Sequence, residues 1–155
     1  MDEMEPQPAI RGSYPVTPRP AVGAVVFKDN AVLLVRRGKP PAKGMWAIPG
    51  GSVRLGETLQ TAAEREILEE TGIIVRAGRP VYVFDVIEHD EDGGVKFHYV
   101  IVDLVAEYVD GEPCPGDDAT DARWVREVDL VNLDVNPATR RLLAETFDFG
   151  CESDL

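Results

Sequence analysis

The feature that most constrains this chain is a group of carboxylates placed where a helix should bury its apolar face. Residues 48–74 read IPGGSVRLGETLQTAAEREILEETGII. The spacing predicts a helix from about Thr58 to Thr71, and Gly72 is the residue type that ends a helix in a left-handed turn. With Glu66 set at zero and about 100° per residue, Glu70 falls at about 40° and Glu69 at about −60°. Leu59, Ala62 and Ala63 fall in the same arc, while Thr61, Glu64 and Leu68 lie on the other side. Carboxylates this close raise one another's pKa and weaken the fold unless a cation neutralises them, and Arg65 is the only basic residue in the helix. A hard divalent ion such as Mg²⁺ takes oxygen ligands and resolves the conflict. Periodicity alone leaves a second reading open, in which the acids form a solvated face.

The full spacing is more specific. Five residues separate Gly51 from Glu57, and seven more lead to Arg65-Glu66; Ile67, Glu69-Glu70, Gly72 and Ile73 then follow in order. This resembles the Nudix box, G-x5-E-x7-R-E-U-x-E-E-x-G-U with U aliphatic, at every specified position from 51 to 73. The resemblance implies the Nudix fold, an α/β (α+β) arrangement with a mixed β-sheet sandwiched between α-helices. It also implies a loop-helix-loop that binds Mg²⁺, with Mn²⁺ as a substitute, and hydrolyses a nucleoside diphosphate linked to another moiety. Glu66, Glu69 and Glu70 then match the helix carboxylates that hold metal, and one of them, most often the position of Glu66, orients or deprotonates the water. Glu57 matches an accessory or water-mediated ligand, and Arg65 an arginine that orients a neighbouring glutamate. Catalytic assignments therefore fall on Arg65, Glu66, Glu69 and Glu70, and metal assignments on Glu57, Glu66, Glu69 and Glu70.

The stretch FHYVIVDLVAEYVDGEPCPGDDATDARWV also resembles the ADP-ribose pyrophosphatase-like branch. ADP-ribose or a related nucleotide sugar is the substrate class expected from it, with modified (deoxy)nucleoside triphosphates as the alternative and a non-catalytic nucleotide sensor as a third. The proline common in ADP-ribose pyrophosphatases would fall near Glu88 and is absent, as is the SQPWPFP run of the NADH enzymes. The intact box favours catalysis over sensing.

Outside the box, AVGAVVF (21–27) and AVLLVRR (31–37) flank Asp29-Asn30 and read as a hairpin, followed by a Gly/Pro loop at 38–44. Residues 73–87 read as one or two strands, 95–109 as the longest strand, 110–122 as a loop, and Trp124-Val125 as a short strand. Asn136 and Pro137 open a last helix, as N-cap and first helical residue, that runs to about Phe147. One domain over 20–150 is expected, with a Pro-rich arm at 1–19 that suggests a homodimer and a short tail at 151–155.

Sixteen Lys and Arg against twenty-eight Asp and Glu give a formal charge of −12, a field that disfavours nucleic acid polymers and anionic membranes. A bound phosphate therefore needs a cation to bridge it. Cys114 and Cys151 have no metal-ligand spacing and fit a reducing cytoplasm. Further substrate contacts are expected at Arg36 or Arg37, one on each face of a strand end, and from backbone N–H groups at Gly50-Gly51. Trp46 offers a ring for a base, with core packing as the competing reading. In the loop GDDATDARWV, Asp117 or Asp118 is the acid expected at the substrate, and Asp118 is the one assigned.

Overall fold

The computed structural model describes residues 14–151; most of the expected arm at 1–19, and the tail beyond Cys151, lie outside them. In chain order the elements are β1 (Arg19–Lys28), β2 (Ala31–Arg37), β3 (Trp46–Ala47), β4 (Gly50–Ser52), α1 (Leu59–Thr71), β5 (Ile74–His89), β6 (Val95–Asp110), β7 (Ala119–Arg126), a 3-10 turn (Glu127–Asn132) and α2 (Pro137–Phe147).

Asp29 and Asn30 both take left-handed backbone angles, φ 52° and 66°, which suits the two-residue turn between β1 and β2. The hairpin opens at once. β1 pairs with β2 only at Phe27 and Lys28, and its N-terminal half pairs with β4 instead, at Ala21–Gly23. β2 turns away to run beside β7 along its length. On its other edge β1 is parallel to β6 from Arg19↔Tyr99 to Phe27↔Glu107, and β6 is antiparallel to β5. Between β1 and β2 the sheet therefore splits, and the split makes room for a cavity.

Alternation along β1 and β2 sends side chains to two cores. Val22, Ala24, Val26 and Leu33 meet Ala62, Ala63 and Ile67 of α1, whereas Val25, Val32 and Leu34 meet Leu142 and Leu143 of α2. The expected sandwich of mixed sheet between helices is the architecture found. Thr58 caps α1 by accepting from the Thr61 N–H at 3.0 Å, and Gly72 closes it at φ 76°. Asn136 caps α2 through the Ala138 N–H at 2.8 Å.

Differences from the sequence reading follow from tertiary pairing. Of the one or two strands that the sequence left open, residues 74–89 form one, and it passes through Pro80 because β5 is an edge strand whose pairing with β6 is irregular around that proline. β7 begins at Ala119, earlier than the short strand expected at Trp124, because it finds partners on β2 from Ala119 to Arg126 across a bulge at Thr120.

Ile67 is fully buried and Leu68 is half exposed. Ile67→Ala should cost about 3 kcal/mol in urea unfolding, whereas Leu68→Ala should stay within about 0.5 kcal/mol of the parent. Equal effects would mean that α1 faces the body with a different side.

Candidate active site

Two close approaches seat α1 on the sheet. A side chain on Gly51 would collide with the carboxyl of Glu66, and one on Gly50 with the carbonyl oxygen of Val22. Glycine is therefore required at both positions so that β4 can lie between β1 and the acidic helix. The loop before β7 is fastened to the other end of α1. The Cys114 N–H donates to the Thr71 carbonyl at 2.8 Å and the Gly116 N–H to that of Glu70 at 2.9 Å. Gly116 has no room for a side chain against the Glu69 carbonyl. Asp117 follows in a left-handed conformation, φ 51°, which aspartate tolerates better than most residues.

That loop carries Asp117 to the helix acids. Glu66, Glu69 and Asp117 each offer a carboxylate oxygen within 4.8 Å of the others. An all-oxygen, all-carboxylate set of this compactness fits a hard divalent cation. Of the two loop acids considered from sequence, Asp117 joins the cluster, while the assigned Asp118 pairs with Lys39 at 3.2 Å on the cavity rim.

Arg65 holds the acids in place. Its Nε reaches Glu57 Oε2 at 2.6 Å, and its two terminal nitrogens reach Glu57 Oε1 and Glu66 Oε2 at 2.9 Å, Glu69 Oε1 at 3.3 Å and the Ser52 carbonyl at 2.9 Å. Both oxygens of Glu57 are thus spent on Arg65, and Oε1 also accepts from the Arg54 N–H at 2.8 Å. Glu57, expected as a metal ligand, here braces the arginine and stands outside the cluster. The Arg65 hydrogen bond draws the Glu57 pKa down to about 2, against an opposing effect of burial.

Deeper in the site, burial pushes Glu70 up to about 7, partly offset by the Gly50 N–H that donates to its Oε1 at 3.0 Å. Glu66 is also raised, chiefly by burial and against the pull of Arg65. Glu70 is the most enclosed of the box acids, 7% exposed. The Gly50 N–H, expected to meet an anion, serves Glu70 instead.

Glu66 and Glu70 open onto a cavity of about 480 Å³ at the split of the sheet. Arg37 lines it, held by its Nε bond to the Pro41 carbonyl at 2.6 Å, as do Gly50, Gly51 and Asp118. Arg36 points away and bonds the Gly44 carbonyl at 3.2 Å. Trp46 does not line the cavity: it is buried in the α2-side core, with the Arg123 guanidinium 4.7 Å from its ring centre. The packing reading of Trp46 is the one that holds. Sequence reasoning missed the opposite wall, where Phe84, Tyr99, Ile101 and Asp103 face Asn136 and Thr139 at the start of α2. The sole signal for Asp103 was an acid inside the apolar run HYVIVDLVA.

Glu57 gains stability from Arg65 that is present above about 4.5 and is lost as pH falls toward about 2. Glu57→Gln should therefore destabilise the protein by about 2 kcal/mol at pH 7, a value typical of a lost charged hydrogen bond. The gap between the two proteins in urea melts should shrink as pH is lowered to about 3.

Residues 17–146 match the NUDIX domain family profile. The chain is 38% identical over 116 residues to an ADP-ribose pyrophosphatase of Methanocaldococcus jannaschii, covering 75% of this chain and 64% of that protein, so it spans a little under two thirds of the archaeal relative's length. It is 32% identical to the nucleoside triphosphatase NudI of Escherichia coli K12, covering 81% of this chain and 94% of that one. Among solved structures, a MutT NUDIX hydrolase of Burkholderia pseudomallei superposes with a TM-score of 0.66 at 30% identity, covering 83% of this chain and 98% of the other. With the box acids gathered on α1 under a split mixed sheet, and with these relatives, the chain belongs to the Nudix family.

Proposed function

We propose that the protein is a divalent-metal-dependent pyrophosphohydrolase that cleaves a nucleoside diphosphate linked to another moiety, with ADP-ribose or a related nucleotide sugar as substrate. The observation that carries this reading is the meeting of Glu66, Glu69 and Asp117 within 4.8 Å at a cavity that also exposes Glu70. Glu66, Glu69 and Asp117 would hold Mg²⁺, or Mn²⁺ in its place, with Glu70 beside them. When bound, such an ion neutralises diphosphate oxygens and acidifies a water. Arg65 fixes the carboxylates of Glu66 and Glu69, so their oxygens are already oriented before substrate arrives. Arg37 adds a cation on the cavity wall suited to a phosphate oxygen. Water oxygen forms the new bond to one phosphorus, the bridging P–O bond breaks, and the water's proton passes to a carboxylate of the site. ADP-ribose would thus yield AMP and ribose 5-phosphate.

Hydrolysis should be lost in EDTA and restored by Mg²⁺. Glu70→Gln should lower kcat by at least ~10²-fold, the scale of removing one strong transition-state contact. A folded pKa near 7 means that Glu70 weakens the metal-free fold increasingly as pH rises from about 4.5 through about 7. The same variant should therefore melt no lower than the parent at pH 8 in EDTA. Turnover that survives EDTA rejects the mechanism.

ADP-ribose should be cleaved with a kcat/KM at least tenfold above that for 8-oxo-dGTP, or about 1.4 kcal/mol of differential transition-state binding. The relationship to NudI supports the second reading, a nucleoside triphosphatase; a triphosphate that leads the panel and releases pyrophosphate would establish it. The homodimer expected from the N-terminal arm and a cytoplasmic setting belong to the same proposal. Cys114 and Cys151 are both free thiols, which supports a reducing compartment. Light scattering should give twice the 17.0 kDa chain mass, and the monomer mass at micromolar concentration would reject the dimer.

A further inference from the structure

The cavity has two unlike ends. At one, the sheet edge meets the acids of α1. At the other, the face of β6 that looks toward α2 presents Tyr99, Ile101 and Asp103 in alternation, with Phe84 opposite Ile101 on β5. This wall is apolar and aromatic except for one carboxyl.

Asp103 is 3% exposed, and among the described residues no hydrogen bond or ion pair is seen at its carboxylate; its oxygens are not among the fully buried unpartnered atoms, so the little access they keep is to the cavity that Asp103 lines. A buried acid without a partner is costly, and its pKa is accordingly pushed up to about 7 by burial alone. Space for it is made by its neighbour: Gly23 lies opposite Asp103 in the parallel register, and a Cβ there would stand 2.5 Å from Asp103 Oδ1. The strand pair thus gives up a side chain at Gly23 and seats at Asp103 a polar group that the fold itself leaves unsatisfied.

We propose that Asp103 is a specificity-determining residue that accepts a hydrogen bond from the exocyclic amino group of the substrate's base, laid against the Tyr99–Ile101–Phe84 wall. A flat, apolar-faced ring with one N–H donor on its edge complements this surface better than a sugar, which carries hydroxyls on every side. An acceptor that stays unpaired without its donor discriminates strongly, because the wrong base leaves it buried and unsatisfied. The inference rests on the reading of the cavity as a nucleotide site.

Calorimetric titration of the full chain with mononucleotides in Mg²⁺ tests it without turnover. AMP should bind about tenfold tighter than purine riboside 5′-monophosphate, which lacks only the amino group. Asp103→Leu should bring the two within about twofold of each other, while Asp103→Asn, whose carboxamide oxygen can accept the same bond, should keep most of the preference. Both variants should melt at or above the parent, since an unpartnered buried acid has been removed. Equal binding by the parent, a preference that survives Asp103→Leu, or one that follows the 2′-hydroxyl in a 2′-deoxy-AMP control would overturn the assignment. So would a large fall in melting temperature, which would show that the fold itself uses the carboxyl. If no nucleotide is hydrolysed but the AMP preference behaves as described, the hydrolase reading fails and the assignment of Asp103 stands; active turnover with no amino-group preference reverses that outcome.

Discussion

The guanidinium of Arg65 is the interaction on which the acidic site depends. It is the one basic group within α1 and bonds three glutamates and a backbone carbonyl of β4. Arginine suits the task because its planar fork can bond several oxygens at once without losing its charge. Through Glu57 it ties the loop before α1 to the helix, and through Ser52 it ties the helix to the sheet. Glu66 and Glu69 are held close together in the same act. The fold therefore concentrates like charges and offsets their repulsion chiefly with this well-braced cation, with Arg54 a more distant partner of Glu69 at 4.0 Å.

Backbone proximity is the second constraint. Around the acids of α1, glycines sit where a side chain would collide: Gly50 against β1, Gly51 against Glu66 and Gly116 against the end of α1. Each draws a polar element nearer to the acids than any other residue would permit. Gly116 matters most for chemistry, because the contact of its loop with α1 delivers Asp117 from a part of the chain remote in sequence.

The split between β1 and β2 turns these contacts into a site. Because β2 leaves to join β7 and β4 takes its place, one face of the opening is acidic and the other apolar. Through a divalent ion held by the acids, the two faces together would suit a ligand with an anionic and a flat apolar part, as in the proposed nucleotide substrate.

The sequence by itself determined the box, the caps of both helices, the Asp29-Asn30 turn and the arc on which Glu66 and Glu70 lie. All of these depend on residues within a few positions of one another, where helical and turn geometry are fixed by local sterics. The resemblance carried by the full spacing favoured an enclosed acidic face, and in the structure Glu70 is enclosed and Glu66 half-buried while Glu69 stays exposed. Only the tertiary structure decided that Asp117 and not Asp118 joins the acids, that Arg37 and not Arg36 faces the cavity, that Trp46 belongs to the core, and that Glu57 serves Arg65. Alternation put Arg36 and Arg37 on opposite faces, but only the packing of the strand end told which of the two faces the cavity, and the left-handed turn at Asp117 aims its carboxyl in a way that local sequence does not specify. Asp103 depended on distance in the most literal way, since its character comes from a missing side chain at Gly23, eighty positions earlier in the chain and adjacent only after β1 and β6 have paired.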